Sequence, residues 1–216
     1  MTIQQLEVKV CRDDKFIKMK ILLTGFEPFG NLNSNSSLEV ASRIALQHFE
    51  KHTLCVEQLP VSFNRVGDVL RNAIQTYHPD FVLMLGQSGG AEKIKLERVA
   101  LNMMDAKKSD NDGFLPSELP IDPVGENAYF TNMPIKEIFA EIENAGVPSI
   151  ISNSCGLYVC NCTYYKALSY CINKGIKCMF VHLPYYDGQD GVPEGKATMN
   201  LNLMVKAIEI IVETIE

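Results

Sequence analysis

The sequence has no tryptophan, only four histidines, and no apolar run reaching the ~18 residues that a membrane-spanning helix requires. No bilayer-spanning helix is therefore expected. Positive charge is also scarce, with 20 Lys and Arg against 26 Asp and Glu and a formal net charge of -6. Nucleic acids and anionic membranes select for basic surface, so neither is expected as a partner. No CxxC pair is present and no HxxxH pair lies near Cys160 and Cys162, which speaks against a structural metal site and a dithiol redox motif. The first twenty residues, MTIQQLEVKVCRDDKFIKMK, hold no continuous apolar stretch and no small-residue cleavage site. No secretory leader is expected there.

Seven cysteines are present, at 11, 55, 155, 160, 162, 171 and 178. An odd count at irregular spacing does not make a disulfide framework, so these read as free thiols in a reducing compartment, the cytoplasm. At 216 residues, 46% hydrophobic and 21% charged, the chain is long enough for one sizeable core.

The apolar pattern alternates between two periods. Short runs at 20–24, 55–60, 81–86, 148–152 and 177–184 read as strands, several of them buried on both faces. Helical spacing is seen over 36–50, 63–77, from Pro134 to Gly146, over 160–174 and over 197–214. Ser36 with Glu39 fits a capping box. Within 160–174, Leu168, Cys171 and Ile172 are expected to point inward. Strand and helix taking turns in this way predicts an α/β fold, a single-domain three-layer sandwich whose central sheet is mainly parallel. Residues 103–130, rich in Asp, Asn, Pro and Gly, break the rhythm and read as a long excursion that covers a site or meets a neighbouring subunit. Residues 1–18 precede Met19, a possible alternative start, and read as an extension to a domain spanning 19–216.

The stretch GLYVCNCTYYKAL (156–168) sets Cys160 and Cys162 two residues apart. On a helix that is about 200° of rotation, so the two thiols face opposite ways and cannot chelate one ion. Cys160 falls at the start of a helix, where the positive end of the dipole favours a thiolate, the reactive form. Active sites of open α/β sheets gather at the carboxyl ends of strands, where this segment lies. Cys162, Cys171 and Cys178 read as small core residues.

A nucleophilic thiol needs a base. His48, His52 and His78 read as solvated surface. His182, in FVHLP at the end of an apolar strand, can project into such a site or serve as a core histidine. Glu97 is the candidate orienting acid, with a surface ion pair to Lys95 or Arg98 as the alternative. A rival motif is Gly86-Gln87-Ser88-Gly89-Gly90, which matches the serine elbow G-x-S-x-G. That elbow demands a following helix, and AEKIKLERVAL alternates like a strand. A serine hydrolase on Ser88 and a non-enzymatic redox or metal-responsive protein using Cys155, Cys160 and Cys162 remain as alternatives.

Several separated stretches resemble one family. LLTGFEPFG (22–30), GQSGG with ERVALN (86–102), PIKEI (134–138), GLYVCN (156–161) and FVHLPY (180–185) look like pyroglutamyl peptidase type I. The resemblance runs over roughly 20–185. It implies a cysteine peptidase without metal or cofactor, with Cys160 as nucleophile, His182 as acid and base, and Glu97 as orienting acid. It implies removal of an N-terminal pyroglutamyl residue from peptides. Phe26, Phe29, Tyr158 and Val159 would then wall the ring pocket, with Asn35 and Gln87 at the lactam's polar edge; the alternatives are core aromatics flanking a turn at Pro28 for Phe26 and Phe29, and a helix cap for Asn35. It also implies a homo-oligomer, tetramer or dimer. The chain departs from the family's common residues at Ser36, Val61, Lys95, Lys107 and Cys155, none of them in the implied triad.

Overall fold

Leu22 and Leu23 are adjacent in sequence and both fully buried, yet they belong to different hydrophobic clusters. Side chains of a strand alternate between faces, so an unbroken apolar run needs cover on both sides. That requirement sets the architecture. The computed structural model describes residues 19–215; the proposed extension, residues 1–18, lies outside the described residues. The elements run β1 (Met19–Phe26), α1 (Ser36–Ala45), β2 (His52–Leu59), α2 (Val66–Tyr77), β3 (Phe81–Gln87), β4 (Ile94–Glu97), β5 (Val99–Leu101), β6 (Ala128–Phe130), α3 (Ile135–Asn144), β7 (Ser149–Ser152), α4 (Val159–Ile172), β8 (Lys177–Leu183), β9 (Tyr185–Tyr186), β10 (Thr198–Met199) and α5 (Leu201–Thr214).

Six strands form the central sheet in the order β2-β1-β3-β8-β4-β7. All neighbours are parallel except β4 and β8, so the sheet is mixed, as an α/β sandwich predicts. One face gathers Ile21, Leu23, Phe81, Leu83, Met179 and Val181 under α1, α3 and α5. The other gathers Leu22, Val82, Met84, Cys178 and Phe180 under α2 and α4. The odd-numbered and even-numbered residues of β1, β3 and β8 thus divide cleanly between the two cores.

The structure corrects four local expectations. The first helix is capped by Asn35, whose side chain accepts from Ser37 N, and not by a Ser36–Glu39 box. His52 is buried at the start of β2, not solvated. Ile172 ends α4 pointing outward, 40% exposed. The last helix starts at Leu201, after a short strand over Thr198–Met199. Among the described residues, no helix is long and apolar enough to cross a membrane.

Candidate active site

Register brings the key side chains together. Cys178 and Phe180 of β8 lie on the α4 side of the sheet, so His182, two residues on, points the same way. On β4, Ile94 and Leu96 face the opposite core. Glu97 must then face α4. In the antiparallel pairing of these strands Glu97 stands opposite Phe180, one diagonal step from His182.

The result is a hydrogen bond of 2.8 Å between His182 Nδ1 and Glu97 Oε1. Glu97 is fully buried and His182 nearly so. With Nδ1–H donated to the carboxylate, the free lone pair of the imidazole is on Nε2. Glu97 is therefore neither a surface residue nor a partner of Lys95. The Lys95 ammonium instead donates to Ser88 Oγ at 3.0 Å.

Cys160 is the second residue of α4. The residue before the helix, Tyr158, makes no side-chain cap hydrogen bond, so the first-turn N–H groups are free of a side-chain acceptor. An anion in that turn gains from the helix dipole. Cys160 is half-buried, unlike Cys162, which is fully buried with its sulfur 4.0 Å from the Phe63 carbonyl. The two thiols do face opposite ways.

Gly86, opposite His182 on β3, explains how the sulfur fits. A Cβ there would come within 2.7 Å of the Phe180 ring and 3.1 Å of Cys160 Sγ. Glycine leaves the space that the thiol and the ring use. Burial pulls the His182 pKa down, but the neighbouring Cys155 and Cys160 sulfurs raise it well above its ordinary value.

A second thiol lies here. Cys155 Sγ is 4.0 Å from His182 Nδ1 and is buried. Ligand atoms of Glu97, Cys155 and His182 all lie within 4.8 Å of one another, a spacing able to hold a metal ion. The Nδ1 position is already taken by Glu97, however, and burial pushes the Cys155 thiol up to about 12, with His182 opposing. Cys155 is a protonated thiol on the wrong side of the ring to act as the attacking sulfur. Cys160 has the better position, at a helix terminus and partly open to solvent.

Ser88 does not sit on an elbow: β3 leads through a turn to β4, with no helix after the glycines.

Beside the sulfur lies an aromatic cluster. Phe29 and Tyr158 pack with centroids 5.2 Å apart, Phe63 meets Tyr158 edge-on at 5.2 Å, and Phe114 meets Phe63 at 6.0 Å. Phe26 packs on Phe180, which in turn lies 4.9 Å from the His182 ring. Val159 is buried in the same core. Sequence reasoning did not single out Phe63 or Phe114. Their signal is weak, because each comes from a different loop and no period connects them to the site.

The excursion 103–130 is fastened over this cluster. Tyr158 donates its hydroxyl to Ser109 O at 2.9 Å, and Asp110 Oδ2 accepts from Phe63 N at 2.9 Å. Asn111 Nδ2 donates to Glu27 Oε1 and Pro28 O. Asn161 anchors the excursion's root, accepting from Leu101 N and donating to Leu101 O and Met103 O.

Asn35 and Gln87 meet at the start of α1. Asn35 Nδ2 donates to Glu27 O, while its Oδ1 accepts from Ser37 N and Ser37 Oγ. Gln87 Oε1 accepts from Ser36 N at 2.9 Å and from Gln189 Nε2 at 2.8 Å. Both amides thus support this corner of the fold, and each retains donor capacity on its NH2 group.

A thiol at a helix start, a histidine at a strand end and a buried glutamate behind it on an α/β sheet fit a cysteine peptidase. A profile of the pyroglutamyl peptidase family matches residues 19–216, and the chain belongs to that family. It is 42% identical over 193 residues to a pyrrolidone-carboxylate peptidase of Thermosipho africanus, covering 88% of this chain and 93% of the relative. To the pyrrolidone-carboxylate peptidase of Gloeobacter violaceus it is 38% identical over 198 residues, covering 91% and 97%. Among solved structures, the pyrrolidone carboxyl peptidase of Fervidobacterium islandicum superposes with a TM-score of 0.88 at 36% identity, covering 91% of this chain and 98% of that one.

Proposed function

We propose that this chain hydrolyses the amide bond after an N-terminal pyroglutamyl residue of peptides, with Cys160 as nucleophile, His182 as acid and base, and Glu97 as orienting acid. The observation that carries it is the buried 2.8 Å bond between His182 Nδ1 and Glu97 Oε1, which frees Nε2 for a thiol. The Cys160 thiolate attacks the scissile carbonyl. Backbone N–H groups of the first turn of α4 stabilise the oxyanion. His182 then protonates the leaving amine, and water, deprotonated by His182, releases pyroglutamate from the thioester. Glu97 holds the tautomer and offsets the imidazolium charge.

A pyroglutamyl group has no free α-amine, so its pocket needs no carboxylate. A flat lactam calls for apolar walls and a few amide partners. Phe26, Phe29, Tyr158 and Val159 are the proposed walls, and Asn35 and Gln87 the polar edge. The reaction needs no metal or organic cofactor. Residues 19–216 form the catalytic domain and 1–18 an extension to it. We place the enzyme in the cytoplasm, because Cys155, Cys160, Cys162, Cys171 and Cys178 are free thiols. We also propose a homo-oligomer, dimer or tetramer, since Leu115, Leu119, Val124 and Phe130 of the excursion and its end are exposed apolar groups.

The test is release of a fluorescent amine from a pyroglutamyl amide in reducing buffer with EDTA. Wild type should be active and Cys160→Ala inactive. Activity that survives in Cys160→Ala transfers the chemistry to another group, Ser88 first.

A further inference from the structure

Cys155 has no part in the proposed reaction, yet its sulfur rests on the same imidazole as Cys160. We propose that Cys155 is a resolving thiol: when a peroxide oxidises Cys160, Cys155 captures it as a Cys155–Cys160 disulfide. This rests on Cys160 being the reactive thiol.

The geometry supports it in three ways. Cys155 Sγ is 4.0 Å from His182 Nδ1, and the Cys160 sulfur lies near enough to the same imidazole to raise its pKa, so both sulfurs neighbour one ring. They bracket a short segment, 156–159, whose first residue, Gly156, has a φ of +74° and nothing within 4 Å of where a Cβ would stand. That segment leads into α4 without regular structure before Val159. It can shift to bring the sulfurs to bonding distance. The other described cysteines are poor partners. Cys162 points into the core, Cys171 and Cys178 are fully buried in that core, and Cys55 lies on β2.

Each step balances. The Cys160 thiolate attacks one oxygen of hydrogen peroxide, giving a sulfenic acid and hydroxide, which leaves as water after protonation. The Cys155 sulfur then attacks the Cys160 sulfur and displaces its hydroxyl. The Cys155 proton leaves with that hydroxyl as a second water. Two thiols are oxidised by two electrons and one peroxide is reduced. A carboxylate can relay that proton to the departing hydroxyl: among the described residues Glu97 Oε2 is buried without a hydrogen-bond partner, and Glu97 and Cys155 ligand atoms lie within 4.8 Å of one another. Burial keeps Cys155 a thiol, so it does not compete for the peroxide and waits for the sulfenic acid.

The full-length enzyme is treated with hydrogen peroxide, then analysed by intact mass, by fragmentation of the peptide carrying residues 155–162, and by activity before and after dithiothreitol. Wild type should lose the mass of two hydrogens, show a 155–160 cross-link, and regain most of its activity on reduction. Cys155→Ser, judged against its own untreated activity, should form no cross-link. It should instead gain oxygen on Cys160 and become refractory to dithiothreitol as sulfinic acid forms. Cys162→Ser should behave as wild type. Wild type that gains oxygen on Cys160 without a cross-link, or a cross-link to Cys162, overturns the inference and leaves the proposed function intact. If iodoacetamide does not label Cys160 in the untreated enzyme, both fall.

Discussion

Replacing Glu97 with glutamine separates its charge from its shape. The side chain is fully buried, and its Oε1 lies 2.8 Å from His182 Nδ1. Glutamine fills the same space and can still accept from Nδ1–H, so the tautomer survives. What disappears is the negative charge facing the imidazolium that forms as the thiol is deprotonated. Two unit charges about 4 Å apart interact by roughly 4 kcal/mol at an effective dielectric near 20. A charge-assisted hydrogen bond is worth about 1.5–3 kcal/mol, against about 1 for a neutral one. Between these figures, a loss near 3 kcal/mol corresponds to roughly 10²-fold in turnover, at 1.36 kcal/mol per factor of ten. Glu97 does not touch the proposed lactam pocket, so KM should change by less than about threefold. Without the carboxylate the imidazolium is easier to deprotonate, so the alkaline limb of the kcat profile should move to lower pH. Steady-state kinetics with a pyroglutamyl amide across pH measures all three. A turnover within about threefold of wild type, with an unmoved alkaline limb, would remove Glu97 from the mechanism.

Other outcomes follow from the same coordinates. Gly86→Ala places a methyl 2.7 Å from the Phe180 ring and 3.1 Å from Cys160 Sγ; it should cut turnover by about tenfold or more while unfolding stays cooperative, because a small misplacement of reacting atoms is costly. His52 is buried, and both its ring nitrogens lack partners among the described residues. Burial lowers its pKa below the ordinary 6.5, with Glu213 opposing and Lys51 assisting. The unfolded chain thus binds this proton more readily. The stability involved is present above pH 6.5 and is lost as pH falls through the folded value, so denaturant midpoints should drop on acidification and drop less in His52→Leu. Phe29→Ala opens the aromatic cluster against Tyr158 and should raise KM for pyroglutamyl amides more than it lowers turnover.

Much of this was legible in the sequence, for reasons that differ by element. The strand runs 20–24, 81–86 and 177–184 could be read because a sheet covered on both faces needs unbroken apolar residues, and β1, β3 and β8 have them. Cys160 and His182 could be nominated from their positions at a helix start and a strand end. Glu97 could not be separated from a surface ion pair on local grounds. Its burial depends on β4 running antiparallel to β8, a pairing distant in sequence. Spacing misplaces Ile172 because α4 is packed nearly all round, with Asn161, Thr163, Tyr164 and Tyr165 buried too, so no single stripe marks its core side. The burial of His52 is not legible in the sequence because residues on both sides of it are polar or charged, and it comes from packing that spacing does not reveal. Phe63, in the loop before α2, and Phe114, in the excursion, carry no shared period that would connect them to Tyr158.

The central claim is a thioester on Cys160, and the most direct measurement looks for it. Wild type mixed with a pyroglutamyl amide and quenched in acid within the first turnovers should carry the mass of one pyroglutamyl group on the peptide containing Cys160, and Cys160→Ala should carry none. Turnover of the substrate with the adduct on Ser88 or Cys155, or with full activity in Cys160→Ala, would contradict the account.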